Sequence, residues 1–273
     1  AEQLAEHLRE VVQAADETGI DTVWVVDHLL QADPASSPDQ PMPEAFTTLA
    51  FLANASNRVR LGAMVSPAAL RPPALLVKSV TTLDVLSGGR AWLGIGAGYH
   101  TTEADAMGVP LPDGAERYAL LEDALQLAHR MFADDARAFS GRRIRAGAPI
   151  NRPRPLTRPR PPILVGGMGE RRTLPLVARY ADACNLFDVP DGGATVRARL
   201  ALLARLCAEV GRPADAVETT ISTALAPGED AAAFTARCAA LADLGIQHVV
   251  TITRGTPWTP DMVAVVAAAR EVG

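Results

Sequence analysis

TTLDVLSGGRAWLGIGAG, residues Thr81–Gly98, holds one complete passage from helix to strand to glycine-rich loop, and the fold follows from reading it. Pro72-Pro73 opens a helix, because proline is tolerated in a first turn, and the apolar pattern carries it to about Leu86. Gly88-Gly89 stops it, Ala91–Ile95 is an apolar strand, and Gly96-Ala97-Gly98 follows. The same passage recurs on both sides. Upstream come a helix at Ala5–Ala15, with Leu4, Leu8, Val11 and Val12 on one stripe, a strand at Thr22–Val26, a helix around Phe46–Ala55 and a strand at Val59–Val65. Downstream the pattern predicts helices at Arg117–Met131, Arg171–Tyr180, Ala194–Val210, Ala231–Leu244 and Pro260–Val272. Between them it predicts strands at Ile163–Val165, Ala183–Leu186, Glu218–Ala224 and His248–Ile252.

Short apolar strands alternating with helices mean parallel pairing with right-handed crossovers. The expected fold is α/β, a (β/α)8 TIM barrel. Seven strands are counted and the chain opens on a helix, whereas a closed barrel has eight, so a first strand is expected upstream of Ala1. An open doubly wound sheet is the alternative. No break in composition divides the 273 residues, and one domain over 1–273 is expected, with a loop insertion at about 137–162. That insertion is rich in Arg, Pro and Gly, its prolines forbid regular helix, and its length suits either a lid or a surface strap.

Composition removes several function classes. A net charge of −5 provides no global positive field for nucleic acid or an anionic membrane, and no apolar run reaches spanning length. Three scattered cysteines, Cys184, Cys207 and Cys238, have no metal-ligand spacing and point to a reducing, cytoplasmic setting. Cys184 follows an apolar strand with no base beside it and reads as a buried inert thiol.

A barrel of this kind keeps its active site at the C-terminal ends of its strands. After Val26 comes Asp27-His28, where a carboxylate beside an imidazole can orient a general acid. After Ile95 come Gly96-Ala97-Gly98, which allow close approach of backbone to a planar ligand or merely make a tight turn. The run does not fit G-x-G-x-x-G, since Tyr99 stands where the third glycine belongs, so a Rossmann reading is unsupported. After Val165, Gly166-Gly167-Met168-Gly169 opens directly into a helix carrying Arg171 and Arg172, a natural phosphate seat. Asn185, at the end of the next strand, is placed to hydrogen-bond a ring edge. No metal set, nucleophile elbow or paired glycosidase carboxylates emerge. The mouth therefore suits a phosphate-bearing planar cofactor that carries the redox chemistry itself.

Several stretches together resemble the luciferase-like monooxygenase superfamily. They are Val25-Val26-Asp27-His28, the L-D-V-L-S-G-G-R run over Leu83–Arg90, Leu93–Gly98, the G-G-M-G-E-R-R-T-L run over Gly166–Leu174, and Ala178–Asn185. The resemblance is strongest to the branch that depends on the deazaflavin coenzyme F420. It implies hydride transfer between F420 and a small organic substrate, with an FMN-dependent monooxygenase or a non-catalytic flavin-binding barrel as alternatives. It implies His28 beside the reactive ring as proton donor or substrate-positioning group, flanked by Asp27, with Glu44 as a further acidic group near the pocket. It also implies a non-proline cis peptide at Met64-Val65 backing the ring, Gly96, Ala97 and Gly98 flanking it, and Gly166, Gly167, Met168 and Gly169 holding the phosphate tail. A homodimer is implied as well. The chain departs from the family where G-W-Y-x-x-E-H is replaced by Gly98-Tyr99-His100-Thr101-Thr102-Glu103-Ala104.

Overall fold

The computed structural model describes residues 3–37 and 39–270. Helix α1 (Leu4–Thr18) ends at Gly19, whose φ of 78° favours glycine, and leads into β1 (Thr22–Val25). Then follow α2 (Ala45–Ala55), β2 (Arg60–Ala63), the two-residue β3 (Ser66–Pro67), α3 (Pro73–Leu86) and β4 (Leu93–Gly96). Two helices come next, α4 (Thr101–Met107) and α5 (Gly114–Phe132), and then a small antiparallel hairpin, β5 (Phe139–Ser140) with β6 (Arg145–Ala146). The regular alternation resumes with β7 (Ile163–Gly166), α6 (Thr173–Tyr180), β8 (Ala183–Phe187), α7 (Ala194–Glu209), β9 (Glu218–Ala224), α8 (Ala231–Asp243), β10 (His248–Ile252) and α9 (Pro260–Ala267).

Every long strand pairs parallel with its neighbour, in the order β4-β7-β8-β9-β10 on one side and β1-β2 on the other. Backbone bonds join the two groups: Leu61 N–H donates to Arg90 O and Trp92 N–H donates to Leu61 O, both at 2.8 Å. The strands thus run around a cylinder in chain order, as an α/β barrel requires and a doubly wound sheet does not. Strands β4 and β7 read LGIG and ILVG and are almost wholly buried, the signature of parallel strands covered on both faces. Among the described residues no strand pairs with the outer edge of β1 or of β10. The helical layer closes there instead, with α1 packed against α9.

Three expectations shift. The strand placed over Val59–Val65 ends at Ala63, because the chain turns at Met64-Val65 and re-enters the sheet as β3, beside β4. Helix α4, which carries Glu103, falls inside what reads as a loop. The last helix is helical to Ala267, and the part of the expectation at Val272 lies outside the described residues.

The Arg137–Pro162 segment is a strap. Asp84, fully buried on α3, accepts from Leu156 N (2.6 Å), Thr157 N (3.0 Å) and Thr157 Oγ1 (2.5 Å). Asp123, on α5, accepts from the amides of Arg142, Arg143 and Ile144 at 2.6–3.1 Å. Buried Asn151 donates to Thr81 Oγ1 at 2.9 Å. These anchors hold the strap where a helix-to-strand connection must lie, at the N-terminal ends of the strands and away from the mouth.

Candidate active site

A cavity of about 1730 Å3 opens at the C-terminal ends of the strands and continues inward beside the free edges of β1 and β10. His28 lines it, as do Met64, Val65, Gly96, Ala97 and Gly98. Gly166, Gly167, Met168, Gly169 and Asn185 line it too, so eleven of the thirteen expected site residues share one space. Asp27 and Glu44 are not among its lining residues.

The wall opposite the mouth loops is built around Val65. The Met64-Val65 peptide is cis, as the resemblance implies. The Val65 side chain enters the barrel between two strands that have no side chains to meet it. A Cβ on Gly96 would lie 2.8 Å from Val65 Cγ2, and one on Gly166 would lie 3.0 Å from both Val65 methyls. The glycines of β4 and β7 therefore make room for Val65 and leave a flat apolar face. Gly98 (φ 77°) then turns the chain over Pro67.

On one flank of this face is a glycine-rich turn with unpaired backbone amides. Gly167, at φ 109°, spends its N–H on Asn185 O, whereas the amides of Met168 and Gly169 have no acceptor among the described residues. Thr173, at the start of α6, shares a 3.0 Å hydrogen bond with Tyr118 OH, and both line the cavity beside Gly169. The Arg172 guanidinium lies over the Tyr118 ring, 5.4 Å from its centre. Arg199 holds the turn from behind, donating to Met168 O and pairing with Glu170. Free amides, two hydroxyls and a helix N-terminus meet at the cavity, with Arg172 outside its lining, and donors of this kind can hold a phosphate. Tyr118 and Arg199 lie outside the stretches that carry the resemblance, and nothing local distinguishes them from ordinary helix residues. Asn185 is held at both ends of its amide, donating to Thr220 Oγ1 and accepting from Ser222 Oγ, each at 2.9 Å.

The other flank carries His28. Its Nδ1 lies 2.9 Å from Glu103 Oε2, while Glu103 Oε1 accepts from the amides of Leu29 and Leu30. Burial pushes the Glu103 carboxyl up, but the hydrogen bonds from His28 and from the Leu30 and Leu29 amides outweigh it and hold the group below the usual range. An ionised carboxylate only accepts, so Nδ1 carries the hydrogen. His28 Nε2 has no partner among the described residues. Tyr99 and His100 stand edge-on to the His28 ring, 6.1 and 5.6 Å from its centre. His100 is outside the cavity and caps α4, accepting from Glu103 N at 3.1 Å.

The carboxylates expected to work with His28 are engaged elsewhere. Asp27, 1% exposed, accepts from Ser66 Oγ (2.6 Å) and from Arg71 through Nε (3.1 Å) and Nη2 (2.8 Å). Arg71 also reaches Glu44 at 2.5 Å, and Glu44 caps α2 by accepting from Phe46 N and Thr47 N. Burial raises the Glu44 carboxyl, yet the Thr47 and Phe46 bonds and the Arg71 charge prevail and hold it at about 2. A carboxyl depressed in the fold stabilises it above its ordinary value near 4.5 and loses that contribution as pH falls toward 2. Glu44→Ala should thus cost about 1–2 kcal/mol at neutral pH, after discounting for solvent exposure. The difference from wild type should shrink in urea titrations repeated between pH 4.5 and 2. An undiminished gap at the acid end would remove the ion-pair account.

Cys184 and His248 take no part in these bonds. Burial pushes the Cys184 thiol up to about 12. His248, at the opposite end of the barrel, pairs with Glu218 at 3.1 Å. No cluster of His, Cys, Asp or Glu that could hold a metal occurs among the described residues, and no helix there is long and apolar enough to cross a membrane.

The family model of the luciferase-like monooxygenases matches residues 1–269. The chain belongs to that family. Among curated relatives, an F420-dependent glucose-6-phosphate dehydrogenase from Kineococcus radiotolerans is 36% identical over 143 residues, covering 52% of this chain and 41% of the relative. One from Intrasporangium calvum is 33% identical over 172 residues, covering 61% and 48%. The chain thus spans less than half the length of these relatives. Among solved structures, an F420-dependent secondary alcohol dehydrogenase in complex with an F420–acetone adduct superposes with a TM-score of 0.84 at 16% identity, covering 98% of this chain and 96% of that one. The F420-dependent tetrahydromethanopterin reductase of Methanopyrus kandleri gives 0.80 at 14%, covering 98% and 94%. At such identities these two establish the shared barrel architecture alone.

Proposed function

We propose that this luciferase-like chain forms the cofactor-binding core of an F420-dependent oxidoreductase acting on a small organic substrate. One observation carries the reading: a flat apolar face, a phosphate donor set and an imidazole with an open nitrogen line the same cavity. The residues fit the cofactor. The Val65 side chain, seated against Gly96 and Gly166, offers an apolar bed for a tricyclic ring, and the amides of Met168 and Gly169 with Thr173 and Tyr118 suit its phosphate, with Arg172 close by on the Tyr118 ring. When bound, the deazaflavin supplies a carbon that accepts or gives up hydride. The protein positions the reactants and excludes water, and His28 takes or returns the substrate proton at Nε2. The F420-dependent names of the curated relatives favour this cofactor over FMN.

Titration of the apoprotein with F420 and, separately, with FMN, followed by ring fluorescence, tests the proposal. F420 is expected to bind at least about tenfold more tightly, a difference of roughly 1.4 kcal/mol. Tight FMN binding with indifference to F420 reverses the cofactor assignment, and binding without reduction of any substrate reduces the chain to a flavin-binding barrel.

A further inference from the structure

Glu103 is remote in sequence from His28, is almost fully buried on α4, and lines no part of the cavity. Its carboxylate nevertheless makes the one hydrogen bond that His28 has among the described residues. Its two oxygens are not equivalent. Oε1 is committed to the peptide N–H groups of Leu29 and Leu30, donors that cannot be reversed, and Oε2 faces Nδ1 of His28. The backbone following β1 therefore dictates which face of the carboxylate the imidazole meets.

We propose that Glu103 is a positioning residue that fixes neutral His28 as the Nδ1–H tautomer, so that the unprotonated Nε2 is presented to the cavity. A neutral imidazole has one donor and one acceptor nitrogen, and the partner of the first decides the character of the second. With Nδ1 held as donor, any proton that His28 exchanges with a substrate must pass through Nε2. The arrangement deepens the proposed function, since it matters for catalysis only if His28 handles the substrate proton. The tautomer itself is independent of cofactor.

The asymmetry of the carboxylate gives a sharp test. In Glu103→Gln the amide oxygen must stay on Leu29 and Leu30, because an NH2 group there would face two donors. The Gln NH2 is then turned to His28 and donates to Nδ1, which forces the hydrogen onto Nε2. An isosteric change is expected to invert the tautomer. Two-bond 1H–15N correlation spectra of the 15N-labelled, cofactor-free protein read this directly, at a pH where imidazole is neutral. The His28 signals are identified by their loss in His28→Ala.

Wild type is expected to show a protonated Nδ1 and a bare Nε2, and Glu103→Gln the reverse. With F420 and a turnover assay, the same variant should lose kcat by roughly 10- to 100-fold while its F420 Kd stays within about twofold. A wild-type His28 protonated at Nε2, or an unchanged tautomer in the folded variant, overturns the proposal. If Glu103→Gln does not fold, the wild-type spectrum still decides. Failure to bind F420 would sink the proposed function and leave the tautomer result standing.

Discussion

His28→Ala is expected to lower kcat by roughly 10²–10⁴-fold, the range carried by a well-placed proton-transfer group. The F420 Kd should stay within a few-fold. The two effects separate because the cofactor seat and the imidazole occupy different flanks of the cavity. The proposed seat consists of Val65, the glycines of β4 and β7, and the Gly166–Thr173 turn, and among the described residues no hydrogen bond joins His28 to it. His28 makes its bond to Glu103, and its edge-on neighbours Tyr99 and His100 belong to the loop and cap around α4. Removing the ring leaves the Glu103 carboxylate bound to two amides, so the loop after β1 keeps its main anchor. Steady-state kinetics beside a fluorescence titration check the expectation. Full activity in the variant would strike His28 from the chemistry, whereas a matching loss of F420 affinity would make it part of the seat.

Gly94→Ala should cost about 3 kcal/mol or more and abolish cofactor binding in whatever fraction folds. Gly94 lies mid-strand in β4, paired to Leu164 of β7, and a Cβ there would be driven into the carbonyl oxygen of Ala63. That oxygen belongs to backbone and cannot swing aside. Ala63 ends β2, and the next residue, Met64, donates to Val25 O at 2.8 Å, so the strand end is held from the other side as well. Relief would require β2 and β4 to separate, which displaces Val65 from between Gly96 and Gly166 and spoils the flat face. Gly147→Ala is the matched control: nothing lies within 4 Å of the added carbon, and the change should remain within about 0.5 kcal/mol of wild type. Chemical denaturation of the two variants gives the comparison. Equal stability would show that β4 has room the packing denies.

Much of this was legible in the chain. Apolar runs of strand length between amphipathic helices imply parallel pairing, and that places the residues after each strand at one pole. His28, the Met64-Val65 pair and both glycine runs were located by this rule and by resemblance. The strap obeys the same rule. Arg137–Pro162 connects a helix to a strand, and such connections arrive at the pole opposite the mouth, so the order of elements already argued against a lid. Its composition of prolines and arginines, taken alone, suits a lid and a strap equally. In the sequence the glycines of β4 suit ligand approach or a turn, but in the fold their neighbours are Ala63 and Val65. Sequence marks where a side chain is missing without telling what fills the gap.

The pattern of apolar and glycine residues by itself determined the parallel strand order and the end at which chemistry gathers, because strand period and crossover handedness are local and cumulative. Only the tertiary structure decided which carboxylate serves His28. Asp27 is its neighbour in the chain, yet its carboxylate is taken up in buried bonds with Ser66 and Arg71. Glu103, 75 residues onward on a seven-residue helix, is brought into contact instead by the curvature of the barrel.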